Sequence, residues 1–279
     1  MPIATPQSYL PKSRVEFLYT TDYSQPAAFV LLVLGLFVVI MGRYLLLAAL
    51  FHFYFYVWNR EAWRHRQLGR KARPLGQERK EMAWSAATSV IFAIIGALSV
   101  VAWQKGYTAV YTDLNAYPLW YLPLSLGLSM FIHETYYYWL HRLMHRPWLY
   151  RLVHRVHHDT PTTSAWTAFS FHPIEGFLEA LIFPFIAVVL PLHPHVILVQ
   201  LTIMVLSATI NHLDIEIFPA NALGTRLGRV VIGATHHGLH HRQYRFNFGL
   251  YFTFWDKWGK TESPQFKPDF ESRAKRVNV

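Results

Sequence analysis

The chain of 279 residues contains no cysteine. That absence excludes disulfides, thiolate metal sites and a cysteine nucleophile, so any metal must be held by nitrogen or oxygen. Charge is also scarce. Asp, Glu, Lys and Arg make up 15% of the residues, against roughly a quarter in an ordinary soluble domain. A surface this poor in charge points to lipid as the solvent for much of it. Acidic residues are the scarcer sign, 16 against 26 Lys and Arg, for a formal net charge of +10. Such a balance suits nucleic acid or anionic lipid headgroups; the apolar runs described below favour lipid, and no nucleic-acid partner is expected. A Gly-rich phosphate loop and a G-x-S-x-G elbow are missing. The zinc-protease pattern H-E-x-x-H fails too, because His133-Glu134 is followed by Thr-Tyr-Tyr-Tyr-Trp. The N-terminus lacks the charged start and apolar core of a signal peptide, so none is expected to be cleaved.

Long apolar runs and aromatic residues, the latter 16% of the chain, fill the space that charge vacates. Residues 1–26 read as an irregular or interfacial lead-in with Pro2, Pro6, Pro11 and Pro26. Ala27 to Trp58 is nearly unbroken apolar sequence, longer than the roughly 20 residues that cross a bilayer. It reads either as one long tilted helix or as a span plus an interfacial piece, and Arg43 inside it must snorkel, face the interior or mark a bend. Residues 59–80 carry eight Lys and Arg against two Glu, the mark of a cytoplasmic loop. Trp84–Trp103 reads as a second span and Leu119–Leu140 as a third. Residues Phe177–Ile210, broken by Pro184, Pro191 and Pro194, read as a hairpin of two tilted or re-entrant helices with both ends cytoplasmic. The expected fold is all-α: an integral-membrane helical bundle of about four spanning helices or hairpins under a cytoplasmic, histidine-rich helical cap. Residues 1–118 would form an N-terminal membrane region with two spans and a basic loop, 119–261 the histidine-bearing region and 262–279 a cytoplasmic tail, together one structural domain.

The richest feature is histidine, present 16 times. His52, His65, His193 and His195 read as hydrogen-bonded core residues. The rest, His133, His141, His145, His154, His157, His158, His172, His212, His236, His237, His240 and His241, come from several segments, and the topology above delivers nearly all of them to one side of the membrane. His141 and His145 are four apart, as are His154 and His158, and His237 and His241; on a helix each pair shares a face. His154 and His157, and His237 and His240, stand three apart. Adjacent histidines diverge by about 100°, so one can serve one metal and its neighbour a second. Imidazole is a common ligand for iron, zinc and copper. Eight or more nitrogens are too many for one ion and suggest two metals with four or five nitrogens each. His172 and His212 are further ligand candidates, and His133 and His236 are ligands, supporting partners or spacers. Glu134, Asp159, Glu175, Asp214 and Glu216 are candidates to receive the second ring N–H of a ligating histidine. No catalytic residue beyond the metal centre can be named, and no site for an organic cofactor is visible.

The segments HETYYYWLHRLMH, HRVHH, FHPIEG, INHLD, HHGLHH and NFGLYFTFWDKWGKT, in that order over residues 119–261, resemble the sterol desaturase and fatty-acid hydroxylase superfamily of integral-membrane di-iron enzymes. The order is most similar to the C-5 sterol desaturase branch. The resemblance implies that His141, His145, His154, His157, His158, His237, His240 and His241 bind two irons, with His212 and then His172 as additional ligands and zinc as an in vitro substitute. It also implies an O2-dependent oxidoreductase that hydroxylates or desaturates a lipid, either a sterol or a fatty-acyl chain, in a process of lipid biosynthesis. The implied partners are a lipid from the bilayer and an external electron donor such as cytochrome b5 or ferredoxin. Arg142, Arg146, Arg151, Arg155, Arg242 and Arg245 would anchor the cytoplasmic face, orient headgroups or dock that donor. Two other classes stay open on the residues alone, a membrane di-zinc hydrolase and a metal-handling membrane protein. A transporter should carry ionisable residues along its spans, and these hold little beyond Arg43.

Overall fold

The structure, a computed structural model, describes residues 20–69, 74–160 and 162–274; the first nineteen residues of the expected lead-in lie outside that range. Helix α1 (Pro26–His52) starts with Pro26 in its first turn, where a missing N–H costs nothing. It continues without a break into a π-helical turn at Phe53–Trp58. The run Ala27 to Trp58 is therefore one continuous helix rather than a span plus a separate piece. After the short α2 (Arg60–Arg64) come α3 (Gln77–Gln104) and α4 (Tyr121–Met144). A stretch follows of α5 (Pro147–Leu149), a π-helical segment Tyr150–His154 and α6 (Arg155–His158). A 3-10 turn at Ala165–Phe169 leads to α7 (Pro173–Ala180), α8 (Ile182–Val189), α9 (Pro194–His212), α10 (Ala234–Gln243), α11 (Phe254–Trp258) and α12 (Phe266–Ala274). Among the described residues there is no β-strand, only isolated bridges joining Gln67 to Ile215 and Val231 to Phe252. The all-α expectation holds.

Three helices are long and apolar enough to cross a membrane: α1 with its π-helical turn, α3 and α9. Val30, Leu31, Leu34, Val38 and Val39 stand exposed along α1, as side chains solvated by lipid do. The span expected at Leu119–Leu140 is present as helix α4 but falls short of the other three in apolarity. The reason lies in its two faces. Ser125, Ser129, His133, Glu134, Tyr137, Tyr138 and His141 are buried along one face, whereas Trp120, Leu124, Leu128, Phe131 and Trp139 are exposed on the other. Averaging the two hides the apolar stripe. Pro184 lies in the first turn of α8, Pro191 in the link that follows it, and Pro194 opens α9.

A small aromatic core joins this stem to the histidine layer. Phe169 of the 3-10 turn stacks on Tyr44 of α1 at 5.4 Å between ring centroids and meets Phe92 of α3 edge-on at 5.6 Å. The Tyr44 hydroxyl donates to the Trp166 carbonyl at 2.7 Å. Glu81, buried near the start of α3, accepts from Gln77 Nε2 (2.8 Å), Thr160 Oγ1 (2.9 Å) and Thr167 Oγ1 (3.0 Å), tying the chain after α6 to that helix. Leu68 and Gly69 lie against the same layer. The N–H of Leu68 donates to the Asp214 carbonyl at 2.9 Å, and the N–H of Gly69 to Asp214 Oδ1 at 2.8 Å.

Candidate metal centre

Nine histidines converge in two adjoining clusters. His141, His145, His154, His158 and His240 form one, and His157, His212, His237 and His241 the other; within each, the ligand nitrogens lie within 4.8 Å of one another. The four-residue spacings keep partners together, as with His141 and His145, His154 and His158, and His237 and His241. The adjacent pairs His157–His158 and His240–His241 are split between clusters. So are the three-apart pairs His154–His157 and His237–His240, a division their shared helix face does not reveal. The clusters touch: the rings of His158 and His241 are 4.5 Å apart between centroids. His145 reaches its cluster from the end of α4, where the chain leaves the helix.

The ring nitrogens are divided by role. Nδ1 of His141 donates to the Phe248 carbonyl (2.8 Å), that of His240 to the Phe246 carbonyl (2.7 Å) and that of His212 to the Ala208 carbonyl (2.8 Å). Nδ1 of His154 meets Glu175 Oε1 at 2.6 Å, and that of His157 faces the Ser170 carbonyl at 3.4 Å. A proton fixed on Nδ1 leaves Nε2 as a bare lone pair. Among histidines so fixed, the lone pairs of His141 and His154 face one another at 3.2 Å and those of His157 and His212 at 3.1 Å; His158 and His237, whose Nδ1 meets no acceptor, bring their Nε2 to 3.1 Å from that of His240 and 2.9 Å from that of His212. Without protons between them such contacts are repulsive, and a cation between the nitrogens removes the repulsion. The spacing fits one. Metal–nitrogen bonds of about 2.1 Å at right angles give edges of ~3.0 Å, whereas tetrahedral bonds of that length give ~3.4 Å. The observed edges of 2.9–3.2 Å fall in the range that nitrogens around one bound metal ion would give.

Burial, and then the neighbouring imidazoles, hold His154, His157, His158, His237, His240 and His241 well below the ordinary histidine range. They are therefore neutral at physiological pH, the form that ligates metal.

The carbonyls that aim His141 and His240 belong to a turn held by two buried carboxylates. Glu134 accepts from the N–H of Leu250 (3.0 Å) and Tyr251 (2.7 Å). Asp256 accepts from the N–H of Phe248 (2.8 Å), the N–H of Gly249 (2.9 Å) and Thr261 Oγ1 (2.7 Å). Burial pushes the Asp256 carboxyl up to about 6, against the pull of those donors. A Cβ on Gly249 would stand 2.6 Å from the Phe252 carbonyl and 2.9 Å from Glu134 Oε1, so only glycine fits. The WDKWG segment thus works as scaffolding, a role its sequence did not reveal. Asp256 and Asn247, whose Nδ2 donates to the His236 carbonyl at 2.7 Å, are residues that the spacing argument missed.

Of the remaining candidates, His172 lies in neither cluster. Its Nδ1 accepts from the N–H of Ile174 at 3.2 Å and caps α7, the place that Pro173 at the first helical position prepares. His133 faces the Tyr251 hydroxyl at 3.0 Å, and His236 is buried beside Phe266; neither joins a cluster. Among the candidate supporting carboxylates, Glu175 meets a clustered imidazole. Glu216 accepts from the N–H of Thr235 at 3.0 Å at the start of α10, Asp214 holds the basic loop, and Asp159 pairs with Lys80 at 3.6 Å on the surface.

The fatty acid hydroxylase family matches the chain over residues 126–261, a stretch that contains all nine clustered histidines. Delta(7)-sterol 5(6)-desaturase ERG3B of Gibberella zeae is 29% identical over 175 residues, 62% of this chain and 52% of that protein. Lathosterol oxidase of Homo sapiens is 28% identical over 211 residues, 74% of this chain and 66% of that protein. Over this region the chain is similar to the sterol desaturase and fatty acid hydroxylase superfamily. Delta(7)-sterol 5(6)-desaturase erg32 of Schizosaccharomyces pombe is 29% identical over 211 residues, 76% of this chain and 60% of that protein. The chain therefore spans between half and two thirds of the length of these relatives. No solved structure matches it.

Proposed function

We propose that the protein is an O2-dependent membrane oxidoreductase that hydroxylates or desaturates a lipid at two irons. Histidines 141, 145, 154, 158 and 240 would hold one iron, and histidines 157, 212, 237 and 241 the other. The observation that carries this reading is the pair of adjoining all-imidazole clusters with their Nε2 lone pairs turned inward. When bound, the irons supply the reduction of dioxygen and the cleavage of an unactivated C–H bond, which side chains alone cannot perform.

The chain contributes orientation and exclusion. The carbonyls of Phe246, Phe248 and Ala208 hold the Nδ1 protons, and Glu175 draws on that of His154 and raises the basicity of its Nε2. Burial keeps water away from the reacting lipid. The apolar helices below the clusters give a lipid a route from within the bilayer. A sterol is the leading substrate class, because the relatives include a lathosterol oxidase and Delta(7)-sterol desaturases; a fatty-acyl chain is the other. Leu68 and Gly69, at the described end of the basic loop, bond to Asp214, and by the positive-inside rule the histidine layer would lie in the cytoplasm. There the arginines at 142, 146, 151, 155, 242 and 245 would receive an acidic electron donor such as cytochrome b5 or ferredoxin.

Expression with iron of the wild type and of His157→Ala, followed by lipid profiling, tests the reading. A lipid that gains one oxygen or loses two hydrogens only with the intact histidines supports it. Two bound metals without any oxidised lipid, even with a reductant system present, favour a di-zinc hydrolase or a metal-handling protein.

A further inference from the structure

Two buried carboxyl oxygens beside the clusters have no partner. Glu175 gives Oε1 to His154, and its Oε2 meets no donor. One turn along α7, Glu179 Oε1 is sealed from solvent and also unpartnered. The groups that face Glu179 are Tyr136 and Tyr137 from α4, Tyr251 from the loop after α10 and Glu175 from its own helix. The Tyr136 hydroxyl is committed to the Leu178 carbonyl at 2.6 Å, and that of Tyr251 is paired with His133 at 3.0 Å. Tyr137 is buried, and its ring lies 5.2 Å from that of His141, between centroids. Tyr137 thus neighbours the five-histidine cluster and interacts electrostatically with Glu179.

The other buried acids have structural work. Glu81, Glu134 and Asp256 each hold two or more donors, whereas Glu179 Oε1 holds none. A carboxyl oxygen sealed from solvent without a donor is costly, and such groups concentrate at functional sites. An oxygen sealed from solvent with no donor favours the protonated carboxyl over the anion.

Resting on the oxygenase reading above, we propose that Glu179 is the acid that delivers protons to the reaction, with the Tyr137 hydroxyl as the relay. Hydroxylation converts R–H, O2, two electrons and two protons to R–OH and one water. Desaturation takes the same O2, electrons and protons and yields an alkene and two waters. The electrons come from an external one-electron carrier, and the protons must pass through the protein. The O–H bond of Glu179 breaks as Tyr137 accepts its proton, and the hydrogen of Tyr137 passes to an oxygen atom leaving as water. The carboxylate then takes a new proton from the medium.

The test compares full-length wild type, Glu179→Gln and Glu179→Asp in lipid nanodiscs. Three quantities are measured: metal content, oxidised lipid formed per electron consumed across pH, and the infrared carbonyl stretch of protonated carboxylic acids. Metal content should be equal in all three. Glu179→Gln should lose about 10²-fold in product rate, release hydrogen peroxide instead, and lack the fall in rate that the wild type shows as pH rises through the titration of the acid. Glu179→Asp should recover most of the rate. One carboxylic acid band at neutral pH should vanish in Glu179→Gln, whatever the metal content. A Glu179→Gln protein with the wild-type rate and alkaline limb, or with an unchanged infrared band, overturns the proposal. A wild type that shows the band but oxidises no lipid sinks the oxygenase reading itself, and the delivery role falls with it while the buried acid stands.

Discussion

Replacing Asp256 by Ala or Asn should weaken one of the two metals and spare the other. Asp256 lies outside both clusters and acts through a turn: its carboxylate holds the N–H of Phe248 at 2.8 Å and of Gly249 at 2.9 Å. The carbonyls of Phe246 and Phe248 in that turn orient His240 and His141. Both imidazoles belong to the five-histidine cluster. Asp256→Ala leaves two buried N–H groups without an acceptor, at about 1–3 kcal/mol each. Asp256→Asn keeps one acceptor oxygen and turns an NH2 toward the other donor, so its cost is nearer one such penalty. Loss of an outer partner typically lowers metal affinity by about 10–100-fold, which is ~1.4–2.8 kcal/mol. Titration of metal-free protein with Fe(II) or Co(II) against a competing chelator resolves two binding steps. In Asp256→Asn the step assigned to the five-histidine cluster should weaken by about 10–100-fold, with the other step unchanged. Thermal unfolding of the metal-free variant separates this from general loss of fold. Equal weakening of both steps, or none, would refute the view that the turn aims that cluster.

The contrast between two histidines offers a second check. His212→Ala should leave one tightly held metal per chain, because the smaller cluster falls to three ligands. His172→Ala should keep both metals and lose about 1 kcal/mol of stability as a missing helix cap; elemental analysis that shows metal loss in His172→Ala contradicts its placement. The metal-free protein should be least stable in acid. The six buried histidines named above have folded values well below the ordinary one, so their unfolded forms take up protons first. Stability is full above the unfolded histidine value and falls as pH drops below about 6.5, each group contributing up to ~1.4 kcal/mol per pH unit. Denaturant midpoints that stay flat between neutral and mildly acidic pH would count against the buried, neutral imidazoles. Gly259→Ala places a Cβ 2.0 Å from the Tyr138 hydroxyl. It should displace that ring from Thr261, 3.0 Å away, at a cost of about 1–3 kcal/mol, and an unchanged Tm would refute the contact.

Much of the centre was legible because helical spacing is a strong signal for side chains that must converge. The four-residue histidine pairs, and the splitting of adjacent ones, follow from about 100° per residue, and they gave the two-metal reading. The same rule put His154 with His157 on one face, yet the two serve different clusters. His172 drew attention through its place in FHPIEG, while the proline after it marked a helix cap. Helix α4 was expected to span on apolar content, but its buried polar face belongs to the interior, a distinction no average over the sequence can make. The roles of Glu134, Asp256 and Glu179 depend on which backbone or side chain comes to meet them across long sequence separations. Position along the chain does not carry that information.

The central claim is that nine imidazoles hold two irons at the end of an apolar stem. X-ray absorption at the iron edge, with metal counting on the purified full chain, tests it most directly. The account predicts two irons per chain, each with a first shell dominated by histidine nitrogen, and loss of nitrogen scatterers from one iron in His237→Ala. A single iron per chain, or a shell dominated by oxygen, would contradict it.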